Sequence, residues 1–362
     1  MFSPVDQQYM AEALRLAAKG LFSASPNPRV GCVLVRDGQI VGTGWHEKTG
    51  EAHAEVLALR AADVRARGAT AYVTLEPCSH HGRTPPCVEA LIAAGIARVV
   101  AAMQDPNPKV AGSGFARLRA ANVEVDSGLM QDEAHELNIG FVSRMSRGRP
   151  WLRMKVAASL DGRTALANGQ SQWITGPEAR RDGHAWRARA CAILTGIGTV
   201  RDDDPRLDVR EVETPRQPLK IVVDSRLQLP LSARLLERGK VLVATAIEDR
   251  SAIAALQDKG ADVMVLPNAQ GKVNLMDLMR ELGRREINEV HVEAGTKLNG
   301  SLLGENLVDE LLLYLAPCIL GDSARGMFSL PELADLAQKR LVQFGSVQSI
   351  GSDIRIIAKV LN

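Results

Sequence analysis

The chain is expected to be an α/β protein of two domains, and three observations predict this. Its 362 residues exceed what one ordinary core organises. Strand-like and helix-like patterns alternate through both halves. The Arg/Gly/Pro-rich segment Ser146-Arg147-Gly148-Arg149-Pro150 is a linker candidate, which places one domain over 1–147 and another over 151–362.

In the first half, Ser3-Pro4 followed by apolar Met10, Leu14, Ala17 and Ala18 predicts a capped helix ending near Gly20. VGCVLVRDGQIVGTGW contains two β-rich runs joined at Asp37-Gly38, the strongest hairpin signal in the chain. A helical pattern follows from His53 to about Ala66, then a strand, TAYVTLEP, ending at Pro77. PPCVEALIAAG predicts a helix that opens on prolines, tolerated in a first turn, and stops at Gly95. ARVVAAM is a strand, a helix covers roughly 114–121, VEVDS is a short strand, and the spacing over 129–145 predicts one closing helix.

The second half restarts with the strand WLRMKVAASLDG, a helix over about 177–189 and the strand ACAILTG. KIVVDS, KVLVAT and ADVMVLP follow a polar loop, and EVHVEAG, ELLLYLAP and DIRIIAKVL lead to the C-terminus. Short apolar runs of this kind predict a largely parallel sheet flanked by helices.

Composition narrows the function. A net charge of +2 with dispersed basic residues argues against a polyanion-binding protein. Only 4% of residues are aromatic, which also disfavours a stacking platform for single-stranded nucleic acid. Five cysteines spread from Cys32 to Cys318 do not resemble a disulfide framework, and two of them suit a metal better. Asp6 and Glu12 interrupt the N-terminal segment, which lacks a signal-peptide core, and no apolar run is long enough to span a membrane. The expectation is a cytoplasmic protein with neither nucleic acid nor membrane as partner.

The chemistry concentrates at His53-Ala54-Glu55, Pro77-Cys78 and Pro86-Cys87. One imidazole and two thiolates can hold zinc through three protein ligands, leaving a fourth position for water. His53 and Glu55 are expected in the first turn of one helix, Cys78 just past a strand, and Cys87 opening the next helix. Helix N-termini stabilise thiolates there. Glu55 is the candidate proton carrier, and the set suits hydrolytic removal of an amino group from a nucleobase-like ring. A Pro-Cys-x-x-Cys spacing would point to cytidine or transfer-RNA deaminases, but this chain has Pro-Cys-Ser-His-His-Gly-Arg-Thr-Pro-Pro-Cys.

With these residues the sequence resembles the bifunctional riboflavin-biosynthesis deaminase/reductase family. The shared motifs are Asn27-Pro28-Arg29-Val30-Gly31, His53-Ala54-Glu55, Glu76-Pro77-Cys78-Ser79-His80 and Thr84-Pro85-Pro86-Cys87. In the second half they are Lys155-Val156-Ala157-Ala158-Ser159-Leu160-Asp161-Gly162, Thr195-Gly196-Ile197-Gly198-Thr199-Val200, Asp203-Asp204-Pro205 and Glu293-Ala294-Gly295. The resemblance implies a cytidine-deaminase-like α/β/α domain and a dihydrofolate-reductase-like α/β domain. It implies zinc-dependent deamination of a diaminopyrimidine ribotide, then NADPH-dependent reduction of its ribosyl group to ribityl. Family members are generally oligomeric, so a homodimer or homotetramer is implied as well.

The resemblance also carries site residues. Asn27, His46, His80 and Arg83 match positions that hold the pyrimidine substrate, and many members have Lys where this chain has Arg83. Read without it, Asn27 is a turn residue, and His46 is either a strand-end contact or a site residue. The second half has no well-placed Gly-x-Gly-x-x-Gly, so its residues alone do not indicate a Rossmann domain. They show only glycine-bearing turns after strands, which either cradle phosphate or simply turn the chain. By resemblance NADPH is held by Ala157, Trp173, Thr199, Asp203, Ser225 and the turn Gly295, Thr296, Lys297, Leu298, Asn299, Gly300 and Ser301. Substrate falls to Ser171, Arg187, Leu207, Arg210 and Glu293, with Lys155 and Asp203 nearest the reduced carbon. Two alternatives remain at this point: another nucleobase or transfer-RNA deaminase with a non-catalytic second domain, and a zinc-stabilised nucleic-acid-binding module.

Overall fold

A computed structural model of the chain describes residues 2–80, 85–108 and 110–361. They form two compact units, Met1–Gly148 and Arg149–Asn362.

The first unit runs α1 (Pro4–Ala18), β1 (Gly31–Arg36), β2 (Gln39–Trp45), α2 (Ala54–Ala62), β3 (Thr70–Val73), α3 (Cys87–Ala93), β4 (Arg98–Ala101), α4 (Ser113–Ala120), β5 (Glu124–Ser127), α5 (Gln131–Leu137) and α6 (Ile139–Arg147). A capping box opens α1: Asp6 N–H donates to Ser3 Oγ at 3.1 Å, and Ser3 N–H donates to the Asp6 carboxylate at 2.8 Å. Asp37 and Gly38 take φ of 53° and 74°, the left-handed pair that joins β1 to β2 in a tight hairpin. The sheet order is β2-β1-β3-β4-β5, with β1 antiparallel to β2 and β3, and β3, β4 and β5 mutually parallel.

Alternation along β1 divides the core. Cys32 and Leu34 pack with Ala54, Ala58, Leu91 and Leu118, whereas Val33 and Val35 pack with Met10, Ala13 and Leu16. Helices therefore cover both faces of the sheet, the α/β/α arrangement expected.

Glycines let those helices come close. A Cβ on Gly44 would lie 2.3 Å from the Ala54 carbonyl oxygen, and one on Gly42 equally close to that of Ala58. The start of α2, with His53 as its N-cap, is thus seated directly on the β2 backbone.

Three expected boundaries shift. His53 caps α2 rather than lying in its first turn, and α2 gives way at Asp63 to a 3₁₀ turn. The strand from Thr70 stops at Val73, and three residues later the Glu76 side chain binds the start of α4. The closing helix breaks at Asn138, whose buried amide accepts from Arg29 N–H at 2.7 Å and donates to Arg29 O at 2.9 Å.

The second unit runs β6 (Trp151–Ser159), β7 (Arg163–Ala165), α7 (Pro177–Arg189), β8 (Ala192–Gly196), α8 (Ile197–Asp203), β9 (Leu219–Val223), β10 (Val241–Thr245), α9 (Arg250–Asp258), β11 (Ala261–Val265), α10 (Leu275–Arg284), β12 (Glu289–Val292), α11 (Thr296–Gly304), β13 (Glu310–Ala316), β14 (Arg325–Gly326), β15 (Leu341–Ile350) and β16 (Asp353–Leu361). Nine strands form one sheet, ordered β11-β10-β9-β8-β12-β6-β13-β16-β15. It is parallel from β11 to β13, and β16 and β15 then add antiparallel. β7 and β14 form a separate small pair.

β15 was not expected from the sequence. Its side chains are mostly exposed, so they carry no burial period for a pattern to reveal. No helix among the described residues is long and apolar enough to cross a membrane.

Gly44→Ala should destabilise the protein, since the new methyl group meets backbone rather than a yielding side chain. We expect a loss of at least ~2 kcal/mol, within the range for overpacked sites, read by denaturant unfolding. An unchanged midpoint would mean that α2 does not depend on this close approach.

Candidate active sites

In the first unit the functional side chains gather where β2, β3 and β4 end, as their register shows: Gly31 pairs with Trp45, Cys32 with Val73, and Val73 with Ala101. His53 caps α2, Cys87 is the first residue of α3, and Cys78 lies on the loop between β3 and α3. His53 Nδ1 is 3.2 Å from Cys87 Sγ and 3.6 Å from Cys78 Sγ, and the three ligand atoms lie within 4.8 Å of one another. Such an N/S₂ donor set suits zinc, with three protein ligands and an open fourth position.

The electrostatics agree with that donor set. Hydrogen bonds from the Cys87 thiol and, against burial, from His53 and then the Cys87 N–H at 3.3 Å pull the Cys78 thiol down to about 4. The same contact, with burial, pushes the Cys87 thiol up. Glu55, in the first turn of α2 and 4% exposed, has its carboxyl pushed up to about 7 by burial and by the Cys78 charge. A carboxyl poised near neutral pH can both take and return a proton.

Asn27 and His46 form one unit beside the metal-ligand set. Asn27 Nδ2 donates to His46 Nε2 at 3.0 Å, which leaves the ring proton on Nδ1, facing Ala52 O at 3.3 Å. The His46 ring meets His53 edge-on, with centroids 5.3 Å apart. His80, two residues after Cys78, is exposed, and Arg83 lies outside the described residues.

The sequence reading gave no role to Glu76. Its buried carboxylate accepts from the backbone N–H groups of Asp105 (3.2 Å), Gly112 (2.9 Å), Gly114 (2.8 Å) and Phe115 (3.3 Å). A Cβ on Gly114 would come within 2.2 Å of Pro77 O, so the loop bearing Cys78 is pressed onto the start of α4. The signal was present, an acidic residue two before a metal-type cysteine, but its donors come from 29 to 39 residues away. Asp105, with its carboxyl raised to about 6 by burial and by Glu76, was also missed.

In the second unit a cavity of about 1570 Å³ opens over the carboxyl ends of the parallel strands, the usual place for ligands in such sheets. Lys155, Ala157, Ser171, Trp173, Arg187, Thr199, Asp203, Leu207, Arg210, Ser225, Glu293 and the stretch Gly295, Thr296, Lys297 and Leu298 all line it. Asn299, Gly300 and Ser301 do not: Asn299 Nδ2 donates to Met327 O, Ser301 Oγ to Lys297 O, and Gly300 abuts Ser329.

Glycine N-caps begin both α8 and α11, and neither cap has a side-chain hydrogen bond. A Cβ on Gly196 would press on Leu298 at 3.3 Å, and one on Gly295 would meet Thr199 Oγ1 at 3.7 Å. The two turns thus sit against each other, with backbone N–H groups available at the cavity wall for a dinucleotide's phosphates.

Arg187 is not a solvated surface residue. Its Nε and Nη2 donate to Glu293 at 2.5 and 2.9 Å, and its Nη1 to Asp208 O at 3.0 Å. Burial alone would raise Glu293, yet the guanidinium holds its carboxyl well below the usual range. Burial depresses the Lys155 ammonium, against the opposing charge of Glu293. Asp203 accepts from Ser171 Oγ at 3.2 Å, and burial together with Asp202 raises its carboxyl. His184, one turn before Arg187, was missed; burial and then the flanking arginines lower its imidazole to about 4, so it stays neutral.

Comparison with known proteins settles the family. Residues 150–356 match the profile described as RibD C-terminal domain, and residues 3–103 match the cytidine and deoxycytidylate deaminase zinc-binding region. The chain is 50% identical over 362 residues to the riboflavin biosynthesis protein RibD of Escherichia coli (strain K12), covering 96% of this chain and 98% of that one. This chain belongs to the RibD family. RibD of Haemophilus influenzae is 47% identical, with 98% of this chain and 97% of the relative covered.

Among solved structures, Acinetobacter baumannii RibD matches with 44% identity and a TM-score of 0.91 over 99% of both chains. A Thermotoga maritima protein, described as a diaminohydroxyphosphoribosylaminopyrimidine deaminase/5-amino-6-(5-phosphoribosylamino)uracil reductase, matches with 32% identity, a TM-score of 0.88 and 99% coverage of both. As a RibD protein, the chain is a deaminase and a reductase in one polypeptide, using zinc and NADPH.

Glu76→Ala should strand buried backbone donors at about 1–3 kcal/mol for each one left unpaired. We expect a clear fall in unfolding midpoint and zinc lost more readily to a chelator. Glu76→Gln, which keeps one acceptor oxygen, should fall between. Wild-type stability and zinc retention in Glu76→Ala would show that the Cys78 loop is held by other means.

Proposed function

We propose that this RibD protein removes the 2-amino group from 2,5-diamino-6-(5-phosphoribosylamino)pyrimidin-4(3H)-one in its first unit. Its second unit then reduces the ribosyl group, giving 5-amino-6-(5-phosphoribitylamino)uracil. The observation that carries this reading is the convergence of His53, Cys78 and Cys87 beside a buried Glu55. Zinc supplies Lewis acidity that makes water a nucleophile near neutral pH, and NADPH supplies a hydride.

The residues do the rest. His53, Cys78 and Cys87 hold the metal. Glu55 would move one proton from water to the ring nitrogen, where it stays, and then the proton of the added hydroxyl to the departing amine, a role for which its carboxyl near 7 is suited. Asn27 has already given its amide N–H to His46, so its carbonyl oxygen is left to accept from the pyrimidine. His80 and Arg83 provide positive charge for the ribose phosphate.

In the reductase cavity, Lys155 and Asp203 polarise and orient the ribosyl group, and Ser171 helps to hold Asp203. Three of the five N–H groups on Arg187 are committed within the protein, which leaves two for substrate and fixes their direction. Glu293, Leu207 and Arg210 complete the substrate wall, and Ala157, Trp173, Thr199, Ser225 and residues 295–298 the cofactor side.

The protein also acts as a homo-oligomer and in the cytoplasm under this proposal. β15 forms the sheet edge and exposes Leu341, Phe344 and Val347, a long apolar edge that an isolated chain would normally protect. Phe344→Asp should reduce the molar mass measured by light scattering. A wild-type monomer would overturn the oligomer proposal.

The two activities should separate by mutation. Glu55→Gln keeps the side-chain size and should retain zinc, while deamination falls by at least ~10²-fold. Reduction of supplied deaminated substrate should continue. Asp203→Ala should show the reverse. Deamination above half the wild-type rate in Glu55→Gln would place the proton carrier elsewhere.

A further inference from the structure

NADPH differs from NADH by one phosphate on the 2′-oxygen of the adenosine ribose. A protein that prefers NADPH must offer cations where that phosphate falls; one that prefers NADH offers a carboxylate to the free hydroxyls. The wall of the second-unit cavity can be read for either device.

At the end of β9 the chain continues Asp224-Ser225-Arg226, and all three residues line the cavity. Asp224 is fully buried, and its carboxylate accepts from Leu229 N–H at 2.8 Å and from Arg226 N–H at 3.4 Å. Those bonds brace the turn, so this carboxylate is not presented to a ribose. Ser225 Oγ accepts from Val273 N–H at 3.1 Å, which draws a second segment to the same place. The residue before Val273 is Lys272, and it too lines the cavity.

One hydrogen bond therefore brings Arg226 and Lys272, 46 residues apart in the chain, to either side of Ser225. Both side chains are exposed, and neither has an ion-pair or hydrogen-bond partner among the described residues. Nearby Arg201 differs, since its guanidinium donates to Gln228 at 3.4 Å. Arg226 and Lys272 are singled out among the cavity's cations by lying next to Ser225 and to the Val273 N–H that bonds it.

We propose that Arg226 and Lys272 form the site for the 2′-phosphate of NADPH and set this enzyme's preference over NADH. The inference rests on the reading of this cavity as the cofactor site. The Arg226 fork supplies paired N–H donors, and Lys272 a point charge from the facing segment. Ser225 fixes their separation. The pair reads only the phosphate, so the nicotinamide end of the cofactor should not register its loss.

The test is direct binding, by titration calorimetry, of NADPH, NADH and adenosine 2′,5′-bisphosphate to the full-length zinc-loaded protein. The wild type should bind NADPH and the bisphosphate well, and NADH at least ~10-fold more weakly than NADPH. Arg226→Ala/Lys272→Ala should lose most of that difference, with NADPH and bisphosphate binding weakened and NADH affinity unchanged. In steady state, KM for NADPH should rise with kcat near wild type. Unchanged NADH binding also serves as the control for folding. Retained NADPH preference in the double variant, or equal losses for both nucleotides, would overturn the assignment. Absence of binding by either nucleotide to the wild type would instead overturn the cofactor reading, and the inference with it.

Discussion

The first unit depends on one constraint: α2 must start close against β2 with no side chain in between. In the first unit Gly42 and Gly44 remove the side chains that would hold α2 away from β2. His53 and Glu55 consequently arrive at the strand ends where Cys78 and Cys87 also lie. In the second unit α8 and α11 begin on Gly196 and Gly295, whose turns lie against each other and place helix-start N–H groups at a cavity wall. The price is local rigidity of sequence, because alanine at Gly44 would already collide with backbone.

Buried charge then decides what those positions can do. Glu55 is buried and Glu293 half-buried, yet their carboxyls move in opposite directions. Burial and a neighbouring thiolate raise Glu55. At Glu293 a bidentate guanidinium more than offsets the desolvation. One is therefore suited to proton transfer and the other to remaining an anion that orients Arg187. Glu76 shows a third use, spending its carboxylate on backbone donors to hold a metal-ligand loop in place.

Much of the fold was legible because its signals are local. The Ser3 cap, the Asp37-Gly38 turn, the prolines before Cys87 and the short apolar runs of the parallel strands each act within a few residues. The failures have equally specific causes. Asn138 breaks a helix by bonding to Arg29 more than 100 residues away, and the Glu76 carboxylate finds donors on a distant helix. β15 escaped notice because exposed side chains leave no period to read.

The sequence by itself picked out a candidate metal-ligand set, whose side chains the fold brings together, and the chemistry it suits, because residue type and spacing restrict which side chains can bind zinc. It also determined the two-part organisation and, through its motifs, the resemblance to a deaminase/reductase family that the comparisons bear out. Only the tertiary structure decided how Arg187 is aimed, where residues 299–301 turn away from the cavity, and which cations flank Ser225. Those outcomes turn on hydrogen bonds between segments far apart in the chain. Spacing along a polypeptide carries no record of such contacts until the strands have paired.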